Sequence, residues 1–134
     1  NKRAKPIKEL EEVFNPAKIA DCHIDYQLQV MIYSLLVDSF APDLNPQKKP
    51  VSPALLFIQH TSGDDYSPVL SIGERRITDM GALREDFEKG LHRLLDDIFS
   101  PTIPFAPNAD DTQCGFCPYK VLCGKSADAG KFDS

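Results

Sequence analysis

Apolar residues recur at three- and four-residue intervals through Ile24-Asp-Tyr-Gln-Leu-Gln-Val-Met-Ile-Tyr-Ser-Leu-Leu-Val-Asp-Ser-Phe40, with Leu28, Met31, Ile32, Leu35 and Leu36 in phase. That period predicts a helix over 24–40, capped by Asp21 or Asp25. Apolar side chains fall on most of its circumference, so it is expected to lie buried between layers. A second stripe, Met80, Leu83, Phe87, Leu91, Leu94, Leu95 and Ile98, has Arg84, Glu85, Glu88, Lys89 and Arg93 opposite and predicts an amphipathic helix from about Thr78 to Phe99, stopped by Pro101 and Pro104. Between the helices the period changes. Pro42, Pro46, Pro50 and Pro53 mark a loop. Ala54–His60 and Pro68–Ile72 then read as strands of a hairpin, turning through Gly63-Asp64-Asp65. Residues 1–20 alternate in charge and reach a turn signal at Asn15-Pro16, and are expected to form a solvated, mobile polar lead-in. Residues 21–124 form the domain, and residues 125–134, rich in Gly, Ala, Ser and Asp, are expected to be a disordered tail. The fold class is α/β (or α+β), with two main helices packed on a hairpin from a larger mixed sheet. A hairpin with an open flank favours edge pairing, hence a homodimer.

Composition narrows the function. The 134 residues are 42% hydrophobic and 26% charged, as in ordinary globular domains, and no apolar run is long enough to span a bilayer. A cytoplasmic protein without membrane contact is expected. The opening Asn1-Lys-Arg-Ala-Lys-Pro is no signal peptide and reads as the interior of something longer. A net charge of −5 argues against binding nucleic acid through a broad basic surface of these residues alone. Lys2, Arg3, Lys5 and Lys8 read as solvated. The carboxylate pairs Asp64-Asp65 and Asp110-Asp111 read as turn residues, and Asp96-Asp97 as an exposed helix end.

Two constellations carry chemistry. Cys114-Gly-Phe-Cys-Pro-Tyr-Lys-Val-Leu-Cys123 places three of the four cysteines in the spacing Cys-x2-Cys-x5-Cys. Thiolates are soft ligands, and a two-residue gap lets two sulfurs reach one ion or cluster iron, so Cys114, Cys117 and Cys123 are the candidate metal and cluster ligands. Structural zinc and iron–sulfur sites take four protein ligands, which leaves one to be found. His92, His60 or His23 could complete a zinc knuckle, and Cys22 could supply a thiolate, although near the start of a buried helix it reads better as a small core hydrophobe. Reduced thiols without metal are the bland alternative. The second constellation is Gln29-x3-Tyr33, four residues apart and so on one helical face. By itself it reads as a half-exposed Gln beside a core Tyr.

Taken in order, Asp25-Tyr-Gln-Leu-Gln-Val-Met-Ile-Tyr33, a hairpin, a long helix, a Pro-Phe-x-Pro turn and Cys-x2-Cys-x5-Cys-Gly resemble the C-terminal part of RecB/AddB-like nuclease domains of the PD-(D/E)xK superfamily, with related iron–sulfur exonucleases of CRISPR systems. The resemblance covers about residues 20–124. It implies a partial restriction-endonuclease-like fold, DNA as substrate, a helicase–nuclease partner subunit, Mg²⁺ at the active site, and a role in recombination and repair. It also implies that Gln29 and Tyr33 are motif residues beside the catalytic strand. Cys114, Cys117 and Cys123 would join a distant fourth cysteine around a [4Fe–4S] cluster, or alternatively hold Zn²⁺. The chain departs from the pattern in two respects: no strand carries an acidic residue followed by (D/E)-x-K, and the fourth cysteine is absent, since Cys22 lies in the wrong place for it. Lys8 and Lys18 lie in the lead-in, and Glu88-Lys89 lacks the spacer. The expectation is therefore a portion whose metal carboxylates and lysine lie outside it, inactive by itself. A free-standing zinc-knuckle interaction module is the competing reading.

Overall fold

The computed structural model describes residues 6–56, 66–104 and 114–125, with the Ala20 side chain excepted. The expected turn at 61–65, the outer part of the first strand, Asp110-Asp111 and the tail beyond Lys125 lie outside these residues. Two compact units divide the chain, residues 1–99 and 100–134.

In the first unit, helix α1 (Ile19–Cys22) runs into α2 (Ile24–Phe40), and α3 spans Arg84–Phe99. Strands β1 (Ser71–Ile72) and β2 (Arg75–Arg76) form an antiparallel hairpin, with Ser71 opposite Arg76 and Ile72 opposite Arg75. Two isolated bridges widen this ribbon: Ala54 beside Val69, antiparallel, and Ile7 beside Ile72, parallel. The α/β class is therefore as expected. The pairing of residues 54 and 69 is the inner end of the expected hairpin, carried by Leu55 N–H to Pro68 O at 2.8 Å and Leu70 N–H to Pro53 O at 2.9 Å. The tighter hairpin at 71–76 was not anticipated. Gly73 makes it possible, at φ +58, in the first of two loop positions where a left-handed residue matches the strand twist.

The lead-in is not solvated over its described length. Ile7 and Val13 are fully buried, and a 3-10 turn at Leu10–Phe14 packs against both α2 and α3. Charges on the intervening positions conceal an apolar inner face here: Leu10, Val13 and Phe14 point inward while Glu11 stays in water. Asn15 then caps a short turn at Pro16–Lys18, its Oδ1 accepting from Ala17 N–H at 3.0 Å with Pro16 at the first position.

Helix α2 occupies the predicted span, but neither Asp21 nor Asp25 caps it. The N-cap position is His23, in the left-handed region (φ 50, ψ 47), because α1 ends there and the chain must turn sharply into α2. Nor is α2 sandwiched between layers. Ile24, Gln27, Met31, Ser34 and Leu35 are buried, while Tyr26, Tyr33, Leu36 and Phe40 on the other side remain exposed. Helix α3 starts later than predicted. Asp79 Oδ1 accepts from Gly81 N–H at 2.9 Å and sets up a 3-10 turn, Gly81–Leu83, ahead of the α-helix. Its stripe is buried at Met80 and Phe87 and emerges toward Leu95 and Ile98. Arg84 Nη2 bonds Asp38 Oδ2 at 3.2 Å and ties α3 to α2. The core gathers Ile7, Val13, Cys22, Ile24, Met31, Leu35, Leu70, Ile77, Met80 and Phe87. No described helix is long and apolar enough to cross a membrane.

Candidate functional site

Gln29 and Tyr33 stand one turn apart on the exposed side of α2. Gln29 Nε2 donates to the Tyr33 hydroxyl at 2.9 Å. The bond leaves the Gln29 carbonyl oxygen and the Tyr33 hydroxyl proton to face outward, an acceptor and a donor side by side on an apolar helix. The sequence reading that placed Tyr33 in the core is corrected: its ring is 55% exposed. The buried amide is Gln27, two residues earlier, whose Nε2 donates to Cys22 O at 2.6 Å and satisfies a carbonyl at the α1–α2 break. Sequence reasoning missed Gln27. Its spacing of three, four and seven residues from Ile24, Met31 and Ser34 was the available signal.

The second unit carries the cysteines on a run of tight turns. Cys114 opens a 3-10 turn (Cys114–Phe116), and Cys117 N–H returns to Cys114 O at 3.2 Å. Lys120 N–H bonds Cys117 O, and Cys123 N–H bonds Tyr119 O, both at 3.3 Å. Gly124 closes the run. At φ +66 it lets its own N–H reach Val121 O at 3.0 Å and Lys125 N–H reach Lys120 O at 2.9 Å, the paired bonds of a Schellman end. Cys114 and Cys117 are half-buried and Cys123 is exposed, and none of the four cysteines is in a disulfide. Cys22 is buried at 5% exposure among core side chains, as a small hydrophobe would be.

Among the described residues, no three His, Cys, Asp or Glu side chains gather as a metal-holding group. Three thiolates have the right softness for a cluster or zinc, yet they are one ligand short and are not drawn together. The carboxylates are dispersed. Asp38 is taken by Arg84, Asp79 by Gly81 N–H, and Glu85 by Lys89 at 2.7 Å.

Among the described residues, the carboxyl groups of Glu12 and Glu85 are perturbed. Lys8 N–H donates to Glu12 Oε2 at 2.7 Å and the Lys18 ammonium stands 3.1 Å from Oε1, which together hold the Glu12 carboxyl below its usual range and raise Lys18. The Lys89 ammonium likewise lowers Glu85. A cleft of about 400 Å³ is bordered by the Leu10 turn, the hairpin and the start of α3, and its lining includes both Arg75 and Arg76 and the carboxylates of Glu11, Asp79 and Asp86. Opposed charges make it a poor anion site.

The profile of the PD-(D/E)XK nuclease superfamily matches residues 11–124, most of the chain. The chain belongs to that superfamily. No curated protein and no solved structure matches it. Within this superfamily, the two helices and the antiparallel ribbon correspond to a small α/β, restriction-endonuclease-like arrangement. The matched span takes in Gln29, Tyr33 and all three clustered cysteines, as well as the turn at Leu10–Phe14 from Glu11 onward.

Proposed function

We propose that this chain is the Gln-x3-Tyr and cysteine-bearing portion of a Mg²⁺-dependent DNA exonuclease domain of RecB/AddB type, working in recombination and repair beside a helicase partner subunit. The observation that carries the reading is the Gln29–Tyr33 pair, bonded at 2.9 Å and held outward on α2 within a chain of nuclease ancestry. In that role the pair contacts DNA or orients the metal site. The hydrolytic chemistry belongs to carboxylates that hold Mg²⁺ and a lysine that positions the attacking water. Those groups come from residues outside 1–134, since no strand here carries the acidic and (D/E)-x-K motifs. Cys114, Cys117 and Cys123 supply three ligands of a [4Fe–4S] cluster, or of Zn²⁺, whose fourth ligand comes from the same outside segment.

The test compares this chain with the protein extended through its upstream coding sequence, on end-labelled single- and double-stranded DNA with Mg²⁺ or Mn²⁺. The extended protein is expected to cleave and residues 1–134 alone to stay at background. Gln29→Ala in the extended protein should reduce cleavage. Metal-dependent cleavage by residues 1–134 alone, abolished by Gln29→Ala, would place the active site within this chain and refute the division proposed. Iron and sulfide analysis of the extended protein, with and without Cys117→Ser, checks the cluster separately.

A further inference from the structure

The exposed side of α2 has a regularity that the nuclease reading does not use. Tyr26, Gln29, Tyr33, Leu36 and Phe40 follow one another at spacings of three, four, three and four residues. That is the seam of a 3.5-residue repeat over two heptads, with aromatic residues at one register position and Gln29 and Leu36 at the other. The seam lies in the open: Tyr26 is 51% exposed, Tyr33 55%, Leu36 46% and Phe40 78%. Among the described residues of the first unit, α2 is thus apolar on two opposite sides, and only one of them is packed.

We infer that this seam pairs α2 with α2 of a second copy of the chain, antiparallel, across a two-fold axis at Tyr33. Three observations select a second copy. The first is symmetry. Reversing the seam about Tyr33 brings Tyr26 against Phe40, Tyr33 against its own copy, Leu36 against Val30 and Gln29 against Val37, so each aromatic meets an aromatic and the face complements itself, as an isologous interface requires.

The second is charge. Flanking positions of a helical seam usually carry the charges that choose a foreign partner. Here they are Val30, Ile32, Val37 and Ser39, with Asp25 the one charge at the N-terminal end. No cation stands along the seam, so a nucleic-acid backbone has nothing to hold. A parallel pair would set Asp25 against Asp25, and the antiparallel pair separates them by the length of the helix. The third is polar satisfaction. The amide nitrogen of Gln29 already donates to Tyr33 within the same helix, so covering the seam strands less polar surface than an unpaired amide would.

Area sets the expected strength. At about 150–250 Å² per aromatic side chain, with Leu36 counted at the low end of that range, these exposures leave about 350–530 Å² per chain, and a pair would cover on the order of 700–1,050 Å², at or just below the smallest specific interfaces. An interface this small makes a weak, reversible dimer, associating toward the upper end of the micromolar range. Pairing also covers Gln29 and Tyr33, so a paired chain does not present them to DNA.

Sedimentation equilibrium of the 134-residue chain without DNA, from about 2 to 200 µM, tests this against the range an interface of that area allows. A concentration-dependent dimer is expected. Tyr26→Lys and Phe40→Asp should each weaken it at least tenfold, and an equimolar mixture of the two variants should restore association, because only the antiparallel register sets residue 26 against residue 40. Leu95→Asp, on an exposed position of α3, should change nothing. Should either charged variant unfold by circular dichroism, Leu36→Gln serves in its place with the same expected loss. A strict monomer over the whole range overturns the inference. So does a dimer indifferent to the seam variants, which would point to edge pairing of the hairpin, and so does a mixture that fails to recover. Measured on this chain without DNA, the result leaves the nuclease reading to its own cleavage assay.

Discussion

Gly90 sits in the middle of α3, where Gly→Ala ordinarily stabilises a helix by about 1 kcal/mol. Here the sign should reverse. A Cβ built on Gly90 would lie 2.7 Å from Cδ2 and Cζ of Phe14, with Cε2 nearer still. Phe14 is half-buried and borders a cleft of about 130 Å³, so its ring can yield at the cost of its contact with Phe87. Its ring packs against Phe87 with centroids 5.3 Å apart and planes tilted by 48°, and Phe87 is fully buried. Overpacking of this kind costs about 1–3 kcal/mol. If the ring swings out instead, the aromatic pair, worth about 0.5–1.5 kcal/mol, is lost along with part of the ring's burial. Against the helix gain, Gly90→Ala should destabilise by up to about 2 kcal/mol, lowering Tm by roughly 4 °C per kcal/mol for a chain of this size. Urea unfolding followed by far-ultraviolet circular dichroism measures it, and a double-mutant cycle isolates the cause. With Phe14→Ala in place the clash is gone, and the same Gly90→Ala change should then stabilise by about 1 kcal/mol. Stabilisation in the wild-type background, or additivity of the two substitutions, would refute the close approach of turn and helix.

Other expectations follow from the same packing. Ile7→Ala should cost about 2–5 kcal/mol in urea unfolding, where a solvated lead-in would register almost nothing. Cys22→Ala should cost less than Cys22→Ser, which buries a hydroxyl at about 1–3 kcal/mol, and neither should change iron or zinc content in the extended protein if Cys22 is only a core side chain. Because the folded state lowers the Glu12 carboxyl, its contribution is complete above the ordinary Glu value of about 4.3 and fades as pH falls through the depressed folded value. The stability gap between wild type and Glu12→Gln should therefore be constant from neutral pH to about pH 5 and close in acid, and acid-unfolding curves that stay parallel throughout would contradict the Lys8 and Lys18 contacts.

Local periodicity carried much of this molecule. The span of α2, the pairing of Gln29 with Tyr33 at four residues, and the loop rich in proline were all legible because each depends on near neighbours. What escaped depended on distant ones. Ile7 and Val13 stand alone among charges, and nothing nearby says that β1 and α3 will cover them. His23 makes an unlikely cap by propensity and serves because α1 must end before α2 can begin. The two-residue loop Gly73-Glu74 did carry a hairpin signal, obscured by Arg75-Arg76, which are poor advertisements for a strand. The apolar circumference of α2 was correctly read as abundant, yet sequence could not tell a second packed layer from an open seam. For the cysteines, spacing marks candidate ligands, and no local pattern says whether they gather.

The bridge between Ile7 and Ile72 has a consequence in time. Gly73 N–H bonds Ile7 O, closing the first unit across 65 residues of chain between Ile7 and Ile72. Closing a loop of that length costs about 3–4 kcal/mol in chain entropy, which favours forming the bridge after α2 and the turn before it have already shortened the effective path. On the ribosome, at about 5–20 residues per second, Ile7 emerges several seconds before the strand that will cover it exists. During that interval the Leu10–Phe14 turn has only α2 to rest on, and its apolar face is open to whatever else is nearby. A folding helper or a preceding domain that shields residues 7–14 until Ile72 arrives would raise the yield of native protein without touching any contact of the finished fold.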